Sequence, residues 1–290
     1  MAIRELRASG LGYLALATEL LRRARLADPD AGLWEAADLH WWWRTPRASD
    51  AVEQLFWADE EGPVAGVVLT DWRRAWGCDP IVVPGVPAPP LAAVWSRALE
   101  AVDALGLEAV EVLARDDDAE LPGLLAGAGF VPGDGPSGIT WMDAADRPAV
   151  APPPDGFALA DRARASGPHP MRRRSGEAVE ARLQQCSLYD PVLDLAAVAP
   201  NGEVAGYALF WFDPVTAVGL VEPMRVEDAY QRRGLARALL TEGLERLARR
   251  GARRLKVGYG TAAARALYVG AGFRVAATCT SYSRPSRRPR

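Results

Sequence analysis

The segment Val226–Leu240, VEDAYQRRGLARALL, carries the densest chemistry in the chain. An apolar run gives way to Gln231-Arg232-Arg233-Gly234-Leu235-Ala236 and then to leucines at helical spacing. The first-turn N–H groups of a helix have no intrahelical acceptor, and the helix dipole adds partial positive charge there. Such an end binds phosphate. Gly234 and Ala236 leave room for close backbone approach, and Arg232, Arg233 and Arg237 add charge beside it. The hexapeptide alone is equally compatible with an ordinary surface helix start carrying solvated arginines.

The elements that must position this segment emerge from an internal repeat. Val64-Ala65-Gly66-Val67-Val68-Leu69 parallels Val204-Ala205-Gly206-Tyr207-Ala208-Leu209, at an offset of 140. The stretch from Leu99 to Gly106 resembles that from Leu244 to Gly251, at an offset of 145, and Gly127-Ala128-Gly129-Phe130 is identical to Gly270-Ala271-Gly272-Phe273, at an offset of 143. Three matches in one order indicate a duplication with copies of domain size. The Pro-rich stretch Arg147–Gly156 suits a stiff linker. The expected division is an N-terminal domain at 1–146, a linker at 147–156 and a C-terminal domain at 157–290 with a basic tail at 284–290.

Each copy reads as strands, then strand–helix–strand–helix–strand. In the second copy the spacing predicts strands at Glu203–Trp211, Ala217–Val226 and Arg253–Gly258, helices at Gly234–Arg250 and Ala262–Gly270, and a last strand at Cys279–Ser283. In the first copy it predicts strands at Val64–Trp72, Pro80–Pro84 and Ala109–Leu113 and a helix at Ala92–Leu105. The fold class is α/β, twice.

This context separates the two readings of the hexapeptide. A strand ending in Val226, then Gln231, Gly234 and Ala236 opening a helix, then Ala264, Leu267, Tyr268, Gly272 and Phe273 after a further strand, resembles the GNAT superfamily of N-acetyltransferases. The resemblance is strong over about residues 200–280 and weak, through the repeat, over 60–140. It implies an α/β (α+β) fold of two tandem GNAT-like domains, each a mixed, mostly antiparallel central sheet flanked by helices. The layout is somewhat like that of mycothiol synthase.

The resemblance also implies acetyl-CoA, or another acyl-CoA, as cosubstrate. Its pyrophosphate would lie on the amides of Arg232, Arg233, Gly234, Leu235, Ala236 and Arg237, next to Gln231. Its pantetheine would pair with the strand at Met224, Arg225 and Val226, reaching Glu227, and Thr261 and Ala264 complete the implied cofactor set. The sequence departs from the family pattern in carrying Asp228 for the usual proline, Thr261 for the usual asparagine and Ala236 for the last glycine.

Acyl transfer to an amine needs a neutral nitrogen, hence a base. Glu222 matches the position where many family members carry a strand glutamate. Strict alternation would put it on one strand face with Met224 and Val226. The alternative is an ion pair with Arg225 or Arg253. Tyr268 matches the family's general acid for the leaving thiolate, and its alternative is core packing. A backbone N–H near Val226 is the expected oxyanion donor.

Composition narrows the classes further. The chain has 290 residues, of which 49% are apolar and 24% charged, so it belongs with globular proteins. Cys78, Cys186 and Cys279 lack CxxC spacing, which argues against a zinc site or a disulfide framework; no metal is expected. No apolar run approaches the roughly 20 residues of a membrane span, and the start MAIRELRASG lacks a signal-peptide core. A cytoplasmic protein is expected, with no membrane partner and no nucleic acid.

Charge divides the copies. Residues 1–150 hold 12 arginines against 24 acids, net −12, whereas residues 151–290 hold 22 basic residues against 13 acids, net +9. Nine of the ten tryptophans precede residue 150, including the run His40-Trp41-Trp42-Trp43-Arg44. These read as aromatic packing, with an acceptor pocket as the alternative. An acidic half would attract a cationic amine electrostatically. Arg172-Arg173-Arg174 and the tail are too short to mark a nucleic-acid face at a sequence pI of about 5.6. His169, between prolines, reads as a solvated loop residue with a base as the alternative.

At the repeat offsets Glu222 falls on Val82 and Tyr268 on Leu125, and the loop matching the phosphate segment is Pro84-Gly85-Val86-Pro87-Ala88-Pro89-Pro90. Prolines offer no N–H. The first copy is therefore expected to be degenerate, without CoA binding. The sequence predicts an N-acetyltransferase acting by direct attack in a ternary complex, with a small-molecule or peptide amine as acceptor and one active site in the second copy. A silent acyl-CoA-binding sensor or scaffold is the alternative. Monomer and homodimer both remain open.

Overall fold

The computed structural model describes residues 2–135 and 137–284. In chain order the elements begin with β1 Arg4–Ala8, α1 Gly10–Ala27, α2 Ala36–Trp43, β2 Gln54–Asp59, β3 Gly62–Asp71, β4 Trp76–Val82, α3 Leu91–Ala104, β5 Val110–Arg115 and α4 Leu121–Gly127. They continue with β6 Val131–Pro132, β7 Ser137–Asp143, β8 Ala158–Asp161, α5 Arg172–Ser175, α6 Val179–Leu183, β9 Asp194–Val198 and β10 Val204–Asp213. The last are β11 Val218–Val226, α7 Leu235–Arg249, β12 Arg254–Tyr259, α8 Ala262–Gly270 and β13 Arg274–Arg284. The repeat is visible as β3–β4–α3–β5–α4 in one stretch and β10–β11–α7–β12–α8 in the other. Residues 285–290 of the expected basic tail lie outside the described residues.

The chain forms two compact units that do not follow chain order. Of the described residues, the first unit comprises 2–39, 46–135, 137 and 277–284; the second comprises 40–45 and 138–276. Each unit takes its last strand from the far copy. In the first unit the order is β1-β2-β3-β4-β5-β13, and Ser283 of β13 pairs with both Glu111 of β5 and Val131 of β6. In the second unit the order is β7-β12-β11-β10-β9-β8, and β7 sets Trp141 opposite Lys256 of β12.

Both sheets are antiparallel except at one place each, where β4 meets β5 and where β11 meets β12. In the first unit α3 buries Val94, Trp95, Ala98 and Val102, residues three or four apart on one helical face, among Val64, Val67 and Leu69 of β3. In the second unit α7 buries Leu235, Leu239, Leu240, Leu244 and Leu247 against Ala208, Phe210 and Val221. Gly243 lets the helix lie directly on Phe210, since a Cβ there would overlap the ring.

Two consequences can be measured. Glycine-to-alanine in a helix interior ordinarily gains up to about 1 kcal/mol of propensity. For Gly243→Ala, overlap with the buried Phe210 ring outweighs that gain, and the expected result is a net loss of about 1–3 kcal/mol in denaturant unfolding. A stabilised variant would contradict this packing.

The second concerns Asp79 of β4, whose carboxyl is raised from 3.8 to about 7 by burial, partly offset by the hydrogen bond from Trp34, with Asp38's charge adding to the rise. The folded form keeps a proton that the unfolded chain releases, so stability is lost as pH rises from about 4 through 7, by a few kcal/mol at most. The unfolding midpoint of Asp79→Asn, relative to wild type, therefore improves between pH 5 and pH 8. A constant difference would contradict it.

Candidate active site

β11 positions the site by leaving its neighbour. Its parallel pairing with β12 covers Val218↔Arg254, Gly219↔Leu255 and Leu220↔Lys256, and the paired register ends there. From Val221 to Val226 the strand is held from the β10 side alone, so its other edge faces an opening between β11 and β12. On the β10 side the backbones come very close: a Cβ on Gly206 would sit 2.8 Å from the Arg225 carbonyl oxygen.

The register with β10 shifts between Ala208 and Phe210, which pair with Met224 and Val221 respectively. One residue on β10 thus opposes two on β11, Glu222 and Pro223, which is a β-bulge. The expectation that alternation alone puts Glu222 on one face with Met224 and Val226 fails here, because the extra residue breaks the period of two. Val221 joins the core that Met224 and Val226 pack against. The Trp211 indole Nε1–H donates to the Glu222 carbonyl oxygen at 2.7 Å and pins the bulge.

After β11 a short 3-10 turn at Asp228–Tyr230 leads to the phosphate segment. Arg232 has φ 58° and Gly234 has φ 92°, and Gly234 is the N-cap residue of α7. The left-handed turn at Gly234 suits a residue without Cβ. No side chain caps α7. Among the described residues, no acceptor takes the backbone N–H groups of Arg232 through Arg237. Gln231, Arg232, Arg233, Gly234 and Arg237 are exposed, Ala236 is half-buried, and Leu235 is buried in the core, where it anchors the turn.

The surrounding charges favour an anion. Arg233 donates to the Ala229 carbonyl at 3.2 Å and lies over Tyr230. Gln231 Nε2 donates to the Val226 carbonyl at 3.2 Å and to Asp228 Oδ1 at 3.1 Å. Arg225 pairs with Glu227 and Asp228, at 3.5 and 3.3 Å; neither Arg225 nor Arg253 pairs with Glu222 among the described residues.

Thr261 is the N-cap of α8, its Oγ1 accepting from the Ala264 N–H at 3.1 Å, so this side chain and this amide are spent on the helix end. Tyr268, on α8, is buried and meets Phe273 edge-on at 6.2 Å between centroids. Burial, and then the charge of Glu222, push its phenol above the usual tyrosine range. The hydroxyl stays protonated at neutral pH and can donate a hydrogen bond.

Several features escaped the sequence. Arg174 of α5 donates to Glu227 at 2.9 Å, so a run read only as a weak nucleic-acid candidate reaches the end of β11. Lys256, the chain's one lysine, is buried on β12 with its ammonium 5.5 Å from the Trp141 ring centroid. Trp41, Trp42 and Trp43 are buried, in line with the packing expected of them, but the hydrogen bond that Trp43 Nε1 donates to Gln185 at 2.8 Å was not foreseen. His169 is a correction: it is buried, not solvated. Its Nδ1 accepts from the Met171 N–H, so the Nε2 proton goes to Asp194, which Tyr189 also bonds. Fully engaged, it is not free to act as a base.

Residues 163–273 match the acetyltransferase (GNAT) family. No curated protein matches the sequence. Among solved structures, a tandem GNAT protein from the clavulanic acid biosynthesis pathway is 15% identical with a TM-score of 0.70, over 100% of both chains. A GCN5-related N-acetyltransferase from Sphaerobacter thermophilus is 19% identical with a TM-score of 0.64, over 99% of this chain and 96% of its own. One from Kribbella flavida is 17% identical with a TM-score of 0.55, over 91% and 96%. The whole chain has the tandem GNAT fold.

The unpaired amides make a direct prediction. Inorganic pyrophosphate binds the second unit, and either Arg232→Ala or Arg237→Ala weakens it about tenfold, at about 1.5 kcal/mol for a charge-assisted contact. Gly234→Val, which strains φ 92°, weakens it comparably. Arg173→Ala is the control in a calorimetric titration. Loss of binding in the control alone would contradict the assignment.

Proposed function

We propose that the second unit is an N-acyltransferase that moves an acyl group, acetyl first among them, from acyl-CoA to a primary amine of a small molecule or peptide. The observation that carries the proposal is the uncapped run of amides from Arg232 to Arg237, in a turn whose Arg232, Arg233 and Gly234 are exposed, at the end of a strand with an open edge. A diphosphate needs several convergent N–H donors and positive charge, and this run supplies both. The open edge at Met224, Arg225 and Val226 offers backbone groups for the two amides of a pantetheine arm, in the manner of an added strand.

In this reading acceptor and donor bind together and the amine attacks the thioester directly. Glu222 takes the proton from the attacking nitrogen, directly or through water. A backbone N–H near Val226 donates to the developing oxyanion. Tyr268 hydrogen-bonds the leaving thiolate. Its proton affinity exceeds that of an ordinary thiol, near 8.5, so it stabilises the sulfur by donating and keeps its proton for most of the step. The charge of Glu222 adds to the effect of burial in raising that proton affinity. We place the reaction in the cytoplasm; the three cysteines are all free and buried, which suits a reducing compartment.

The test is Glu222→Gln assayed with acetyl-CoA over a panel of primary amines. The expected result is a fall in kcat of about 10²-fold or more, with donor affinity unchanged. Tyr268→Phe gives a smaller fall, about tenfold, again in kcat. Tight acetyl-CoA binding by the wild type with no transfer to any amine would instead support the silent sensor.

A further inference from the structure

The first unit contains a cavity of about 800 Å³, within the range of small-molecule sites. It opens where β4 and β5 part. Their parallel pairing is confined to Trp76↔Val110 and Gly77↔Glu111, and the walls beyond are Asp79–Val82, the proline loop 84–90, and Leu113 to Arg115. It is the counterpart of the opening between β11 and β12, with opposite chemistry.

Its wall is apolar at Leu21, Val83, Leu91 and Leu121, and its charged side chains are mostly committed. Arg25 is bidentate to Glu35, at 3.1 and 2.5 Å. Arg115 is bidentate to Asp117, at 2.8 and 2.7 Å. Asp118 Oδ1 takes the Glu120 and Leu121 N–H groups, both at 2.9 Å, and so caps α4 against any anion. Asp79 differs. It is 7% exposed, lines the cavity, and accepts one hydrogen bond, from the neutral Trp34 indole at 3.0 Å. No cation faces it. Asp38 on α2 is acidic, and Tyr13 on α1 and neighbouring Cys78 are held neutral by burial.

We infer that this cavity is a binding site for a small cationic amine with an apolar body, whose ammonium pairs with the Asp79 carboxylate. A buried carboxylate with one neutral donor leaves hydrogen-bonding capacity unmet, and an ammonium supplies both the missing donors and the missing charge. The apolar wall accepts the hydrocarbon part. A diphosphate is disfavoured: the loop at 84–90 has four prolines without N–H, and the unpaired charge in the cavity is negative. The site stands on the first unit alone and is independent of transfer by the second.

The experiment is calorimetry on the full chain with hexylamine and 2-phenylethylamine. The amines bind more tightly at pH 8 than at pH 5.5, because the ammonium must displace the Asp79 proton. Asp79→Asn weakens amine binding at pH 8 at least tenfold. Leu113→Lys, which puts an ammonium in the cavity wall, abolishes it even if the asparagine variant folds poorly. Arg173→Ala, an exposed substitution in the second unit, leaves it unchanged. Amine binding indifferent to both Asp79→Asn and Leu113→Lys, or no amine binding at all, would overturn the inference.

Discussion

The proposed chemistry of the second unit depends on backbone N–H groups left without acceptors among the described residues. A helix always begins with such groups, and most helices cover them with a side chain or leave them to water. In α7 the cap residue is Gly234, which has no side chain to offer, and the turn before it runs through left-handed φ at Arg232 and Gly234. The turn is exposed while Leu235, one residue on, is locked in the core. The amides are held in place by packing and left open by composition. β11 ends just before them because it parts from β12 after Leu220, and Gly206 permits the tight strand contact that holds its other side.

The same scaffold appears twice with different chemistry at matching places. Where the second unit has Tyr268 on α8, edge-on to Phe273, the first has Leu125 on α4, fully buried as simple core. Where the second has an arginine-rich turn, the first has a proline loop, and α4 begins with its amides already taken by Asp118. Both units keep the parting of two parallel strands. The parting is a property of the sheet, and the two proposed ligands differ because different polar groups lie beside it: backbone N–H groups in one unit, a carboxylate in the other.

Much of this was legible in the sequence because it depends on local pattern. The helix Ala262–Gly270 coincides with its expected bounds, and α7 and β11 fall within one residue of theirs, since leucine spacing and glycine stops encode them. The strand expected at Pro80–Pro84 instead runs Trp76–Val82, because Pro84 opens the loop and Trp76 and Gly77 pair with β5. Features that depend on distant partners were hidden. The bulge at Glu222 arises from the register against β10, and no local period announces it. The exchange of β7 and β13 between the compact units follows from sheet pairing between segments far apart in sequence. His169 looked like a loop residue between prolines, yet Asp194, 25 residues on, buries and bonds it. Asp79 gave no signal, because its meaning lies in the cavity beside it and the single indole that reaches it.

The most direct measurement is amide NMR on the full chain, following the backbone N–H signals of Arg233, Gly234, Leu235, Ala236 and Arg237 as acetyl-CoA is added. The account predicts large downfield shifts at these amides, saturating together with a single affinity, while Ala264, already bonded to Thr261, moves little. Saturable acetyl-CoA binding that leaves the Gly234–Arg237 amides unperturbed would show that the thioester carrier is held elsewhere.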